Sequence, residues 1–187
     1  MREDRLRKVN EYIQGERGFK TPFSFYKKIN KMIKFIKQNT KVVFAEIPDE
    51  ISLTFSITNC QNKCIGCHSA ELRGNIGDEL TFDVMSELID KNKGVSCILI
   101  MGEGNDKDGL IELCRKIKEK YNTLKIGIYS GRNEVEDFYY EVFDYVKIGS
   151  YIEGKGPLNK DTTNQRLYKI NDGEKQDITH KFWSKIK

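Results

Sequence analysis

The chain has 187 residues, 38% of them hydrophobic and 32% charged, with a formal net charge of +4. That suits one globular domain, alone or with an extension, and falls short of the ~250 residues that a complete (β/α)8 barrel takes. No run of about 18 apolar residues is present, which excludes a membrane-spanning helix.

The net charge hides an asymmetry. Residues 1–41 hold 12 Lys/Arg against 4 Asp/Glu, whereas the rest of the chain holds 20 against 24. The first eight residues, Met-Arg-Glu-Asp-Arg-Leu-Arg-Lys, lack the apolar core of a signal peptide. With five cysteines, an odd number, the expectation is a cytoplasmic protein with reduced thiols.

Leu6, Val9 and Ile13 stand at helical spacing until Gly15 and Gly18 interrupt them. Thr21-Pro22 then has the form of a helix start, a capping hydroxyl followed by proline at the first helical position. Phe25, Ile29, Met32, Ile33 and Ile36 line one face of that helix, and Lys27, Lys28, Lys31, Lys34 and Lys37 the other. Two readings are open: a helix packed on the domain with a solvated lysine face, or a docking surface for an acidic partner, nucleic acid or an anionic membrane. The organisation expected is a basic helical extension over 1–41 and a second unit over 42–187.

Val42–Ile47 reads as a strand and Pro48-Asp49-Glu50 as a turn. The apolar run Ile51–Ile57 reads as a buried strand, and Cys60, Cys64 and Cys67 follow it at C-x3-C-x2-C spacing, with His68 next. The thiols therefore sit on a loop at the carboxyl end of a strand, the edge where α/β proteins gather ligands. Three thiolates can hold an iron–sulfur cluster; four would close a [4Fe–4S] cube, and three leave one iron open. Structural zinc ordinarily takes four ligands, and His68 is poorly placed to join its neighbour on one metal. Cys64-Ile-Gly-Cys67-His68 also matches the haem-attachment pattern, and disulfides are the remaining alternative.

Beyond a loop over Leu72–Asp78, strands and helices alternate. Thr81 caps a helix bearing Phe82, Met85, Leu88 and Ile89, which stops near Gly94. Ser96–Met101 is a buried strand ending in Gly102-Glu103-Gly104. Asp106 or Asp108 opens a helix with Leu110, Leu113, Cys114 and Ile117 inward. Leu124–Tyr129 is a strand followed by Ser130-Gly131-Arg132. Asn133 and Glu136 have capping-box spacing before Phe138, Tyr139, Val142 and Phe143, and Tyr145–Ile148 is another strand. This alternation implies βαβ crossovers and a parallel sheet, here an open, partial TIM-like barrel of α/β class. Cys97 and Cys114 fall on apolar faces and read as inert core residues.

From Gly154 to Arg166 the chain is a long polar loop, and long loops are often functional. Leu167–Ile170 and the region of Ile178, joined through Asn171-Asp172-Gly173, read as a hairpin. Phe182 and Trp183 are expected to anchor the tail.

The cysteine spacing after a first barrel strand resembles the radical S-adenosylmethionine superfamily. Cys60…Cys64-Ile-Gly-Cys67-His68, together with Tyr151-Ile-Glu-Gly and Thr162-Thr-Asn-Gln-Arg166, is similar to the activating proteins of anaerobic ribonucleoside-triphosphate reductase. The resemblance runs from about Val42 to the C-terminus. It implies a [4Fe–4S] cluster on Cys60, Cys64 and Cys67, with S-adenosylmethionine on the open iron. Reductive cleavage would then give a 5′-deoxyadenosyl radical that takes hydrogen from a glycine of the partner reductase. An electron would come from a low-potential donor such as flavodoxin.

The resemblance also implies residue roles. Gly102 and Glu103 sit where the superfamily carries Gly-Gly-Glu, with Met101 in place of the first glycine. The Glu103 carboxylate would accept from the methionine ammonium, or else be a solvated loop acid. Lys147 is the candidate for the ligand carboxylate or a surface lysine, and Ser130 and Arg132 share its sheet edge. Many members carry an aromatic residue before the third cysteine, against the adenine. Gly66 stands there, and His68 either takes over part of that contact or is a polar neighbour.

Overall fold

The computed structural model describes residues 32–185. The strands among these residues are β1 Lys34–Phe35, β2 Val42–Val43, β3 Ser52–Ser56, β4 Asp78–Glu79, β5 Cys97–Met101, β6 Lys125–Tyr129, β7 Tyr145–Ile148, β8 Arg166–Asn171 and β9 Glu174–Asp177. Seven of them form one mixed sheet in the order β2-β3-β5-β6-β7-β8-β9, and β1 pairs with β4 in a separate ribbon. The helices are α1 Phe82–Lys91, α2 Lys107–Lys120 and α3 Phe138–Val142. Among the described residues no helix is long and apolar enough to cross a membrane.

The four central strands β3, β5, β6 and β7 are parallel, and each junction between them contains a helix. Their side chains alternate between faces, as a pleated strand requires. Leu53, Phe55, Ile98, Ile100, Ile126, Ile128 and Val146 face one core, which α1, α2 and α3 complete with Met85, Ile89, Leu110, Cys114, Ile117, Tyr139 and Val142. All three helices thus lie on one face. Cys97, Leu99 and Tyr145 point the other way, into a smaller core with Ile47, Leu167 and Ile178.

Local signals explain several of these elements. Thr81 Oγ1 accepts from Val84 N at 3.2 Å to start α1, and Asp106 Oδ1 accepts from Gly109 N at 3.1 Å to start α2. Each supplies an acceptor for an amide that has no partner inside the helix. The β8–β9 hairpin turns at Asp172 (φ 50°) and Gly173 (φ 86°), the paired left-handed residues of a tight hairpin turn. Cys97 and Cys114 are fully buried, and burial pushes each thiol up to about 12.

Three expected elements differ. The helix drawn through Ile36 does not form over its described part. Lys34 pairs with Glu79 and Phe35 with Asp78, antiparallel, and Phe35 is fully buried against Phe55. Strand pairing and burial override the helical spacing there; the start of that helix and the rest of the basic segment lie outside the described residues. The packed core accordingly reaches back before Val42.

The strand expected over Val42–Ile47 is confined to Val42–Val43. Phe44 is exposed, and the chain then bends so that Ile47 is buried on the face opposite the helices. The capping box at Asn133 and Glu136 does not close. Asn133 Oδ1 accepts from Ser150 N at 3.2 Å, Glu136 is taken by Arg132, and Asp137, at the N-cap position of α3, makes no side-chain capping bond.

Candidate functional site

The loops that leave β3, β5, β6 and β7 converge at the carboxyl edge of the parallel strands. The loop after β3 carries the cysteines and is tied down at its start. Asn59 N donates to Gly74 O at 3.1 Å and Cys60 N to Leu72 O at 2.9 Å. Arg73 adds a guanidinium bond to the carbonyl of Cys64. On its other side the loop rests on its neighbours. A Cβ added at Gly131 would collide with Asn62, and one added at Gly66 would lie 3.4 Å from the Tyr151 ring. Gly66 has φ 69°, a conformation that glycine adopts without the penalty a side chain brings.

The turn after β5 approaches the same loop. Gly102 (φ 98°) and Gly104 (φ 63°) pass the carbonyls of Ile57 and Thr58, where an added Cβ would lie 3.3 and 3.0 Å away. Between them, the buried Glu103 carboxylate is fully engaged. Ser130 Oγ donates to Oε2 at 2.7 Å, Arg132 Nε to Oε2 at 3.1 Å and Arg132 Nη2 to Oε1 at 2.9 Å, while Tyr139 OH also donates to Oε1. Four donors match the capacity of an ionised carboxylate, so an arriving ammonium would have to displace one.

Arg132 also reaches Glu136 with two further bonds, at 3.0 and 2.8 Å. Those bonds hold Glu136 down at about 2, and together with Glu103 they keep the guanidinium above its usual range. Burial, then the bond to Glu103, pushes the Tyr139 phenol well up. This network joins the carboxyl ends of β5 and β6 to α3.

On the face opposite α1, α2 and α3, the last row of residues before this edge is Ser56, Met101, Tyr129 and Lys147, each the register partner of the next. Lys147 is only 9% exposed. Its ammonium donates to Gly149 O at 2.9 Å and lies 5.9 Å from the Tyr129 ring centroid. Burial lowers it to about 8, against an opposing pull from Cys64 and Cys67. The Lys147 ammonium therefore stands within electrostatic reach of the two thiols.

Cys60, Cys64 and Cys67 are free and half-buried, and His68 is exposed. Among the described residues no three thiol, imidazole or carboxylate groups are gathered to hold one metal ion. A cube sets a different requirement, since each thiolate binds its own iron. The structure thus brings Glu103 together with Ser130 and Arg132 and places the buried Lys147 at the same sheet edge as the cysteine loop. Asn62, Arg73, Tyr129 and Tyr139 join the site without having been expected there, and Tyr151, quoted above only within a motif, lies beside Gly66. The position of Tyr139 on an apolar helix face signalled only the core, and Asn62 carried no signal beyond lying between two cysteines. Comparison of the chain with protein-family models, curated proteins and solved structures gave no match.

Proposed function

We propose that this chain is a radical S-adenosylmethionine protein that activates a glycyl-radical enzyme, its sheet forming the wall of an open barrel. Cys60, Cys64 and Cys67 would hold a [4Fe–4S] cluster with one iron free of protein ligands, and S-adenosylmethionine would occupy that iron. The acceptor of this reading is a backbone glycine of anaerobic ribonucleoside-triphosphate reductase, and the electron donor a low-potential one such as flavodoxin. A cytoplasmic setting accords with reduced thiols.

One observation carries the reading. Three thiols stand on the loop that leaves the first parallel strand, at the same sheet edge as a buried ammonium that has no carboxylate partner among the described residues. That donor set suits an anionic thiolate-bound group. When bound, the cluster and S-adenosylmethionine supply one-electron cleavage of the sulfonium C–S bond and a carbon radical.

The chain's own residues position and shield. Gly66, with no side chain, lets the cysteine loop lie against Tyr151. Gly102 and Gly104 let the β5 turn close on Ile57 and Thr58, and Arg132, Ser130 and Tyr139 hold Glu103 and fix that turn. Holding reacting groups in one geometry is the main rate gain a protein adds to cofactor chemistry.

The test is a Cys64→Ala variant purified without oxygen beside the wild type. Wild type should bind iron and sulfide, cleave S-adenosylmethionine under reduction and leave a glycyl radical signal on the reductase, and the variant should do none of these. Cleavage retained in the variant would remove the cluster from this loop. A wild-type protein that cleaves without radicalising the reductase would point to a different acceptor.

A further inference from the structure

We propose that Lys147 is the built-in counter-charge of the cysteine loop, a positioning residue that sets the reduction potential of the group held by Cys64 and Cys67. The inference rests on the cluster reading above and adds a role for one side chain within it.

A lysine this deeply buried ordinarily has a charged partner, because an ammonium removed from water loses several kcal/mol of solvation. Among the described residues no carboxylate forms an ion pair with Lys147; its hydrogen bond goes to the neutral carbonyl of Gly149, at 2.9 Å. The Tyr129 ring, 5.9 Å away, offers a further weak attraction. On the other side its register partner on β8 is Leu167, which is fully buried and apolar. The anions able to balance it are the thiolates of Cys64 and Cys67, carried on the loop that leaves this same edge of the sheet; their charge opposes the effect of burial on the ammonium.

In the protein without its cluster, Lys147 is therefore a cost to stability. With thiolates ligating iron, the same ammonium faces net negative charge at low dielectric, where Coulomb terms are far larger than in water. One-electron reduction adds one more negative charge, taken from the low-potential donor. A fixed cation beside the site stabilises the reduced form over the oxidised form and makes the group easier to reduce.

The two effects have opposite signs, which separates this role from a structural one. Lys147→Met keeps an unbranched side chain one atom shorter and deletes the charge; Lys147→Arg keeps the charge. Each would be reconstituted without oxygen to matched iron content, and its midpoint potential read from the reduced-cluster paramagnetic signal in a redox titration. Lys147→Met should shift the reduction equilibrium about tenfold against the reduced form, equivalent to about 59 mV more negative for one electron. Lys147→Arg should stay within about threefold of wild type, and the cluster-free Met variant should melt at or above the wild-type temperature.

A potential unchanged in Lys147→Met, or shifted equally by Met and Arg, overturns the inference while leaving the cluster reading intact. A cluster-free Met variant that melts well below wild type overturns it too, since the lysine is then structural. Failure of the wild type to take up a cluster overturns the underlying reading itself.

Discussion

Asn62 of the cysteine loop rests on Gly131, which separates Ser130 from Arg132. There is no room for a methyl group between them: a Cβ at Gly131 would collide with the Asn62 amide. The cysteine loop and the edge that holds Glu103 are therefore in direct contact through a residue that has no side chain. Because the obstructing atom is the tip of a side chain, Asn62 can rotate away, and the penalty is moderate.

Gly131→Ala should accordingly lower stability by about 0.5–1 kcal/mol and slow uptake of iron and sulfide. Adding Asn62→Ala should recover part of both losses. A double-mutant cycle by urea denaturation checks this, with a coupling energy of about 0.5 kcal/mol or more expected for groups in contact. Strict additivity would contradict the contact.

Removing Arg132 should cost more. Arg132→Ala would leave the buried Glu103 carboxylate with only Ser130 and Tyr139 as donors. Breaking a fully buried pair costs ~3–5 kcal/mol, and the Arg132 side chain is 25% exposed, so about 2–3 kcal/mol is expected here. Arg132→Lys should recover less than half, because an ammonium cannot span both carboxylate oxygens as the guanidinium fork does. Chemical denaturation of the three proteins gives the comparison.

Gly149→Ala should be poorly tolerated. Gly149 has φ 102°, and an added Cβ would lie 2.8 Å from the Gln165 Cα and 3.1 Å from the Asn164 carbonyl oxygen, both backbone atoms. A loss of about 2–3 kcal/mol is expected from strain and clash combined. Its carbonyl also accepts from Lys147, so the variant should show an altered environment at the cysteine loop by thiol-reactivity kinetics.

At the opposite end of the sheet, Glu50 contributes to acid stability. Its side chain accepts from Ser96 at 2.6 Å, from Tyr145 at 2.7 Å and from Lys125. Burial pushes the carboxyl up, but these donors and the Lys125 charge together hold it below its ordinary value of 4.5. The group is more acidic folded than unfolded, so its stabilisation is present above about pH 4.5 and fades as the pH falls through the folded value. Melting temperatures measured from pH 7 to pH 3 should fall less steeply in Glu50→Gln than in wild type, from a lower starting point.

The residues legible in the sequence were those whose role is set by near neighbours. Thr81 and Asp106 cap helices through bonds to amides three residues on, and Asp172-Gly173 turns a hairpin through its own dihedrals. The central strands could be read because their buried runs are continuous. Lys34 and Phe35 were misassigned because their partners, Glu79 and Asp78, are remote in sequence, and two paired residues leave no periodic signature. Glu103 was legible as a residue at the edge but not as a saturated one. Its donors come from Ser130, Arg132 and Tyr139, and no spacing rule links a strand end to the inner face of a helix. Likewise, alternation along β7 gives the face on which Lys147 lies but not that its ammonium is buried with the Gly149 carbonyl as its hydrogen-bond partner.

The central claim is that the loop from Cys60 to Cys67 carries an open-iron cluster. Its most direct test is the paramagnetic resonance spectrum of anaerobically reconstituted, reduced protein, recorded with and without S-adenosylmethionine. The expected result is a [4Fe–4S]+ signal that changes shape when the ligand is added and is absent from Cys64→Ala. A protein that takes up no iron–sulfur cluster, or binds zinc in its place, would contradict it.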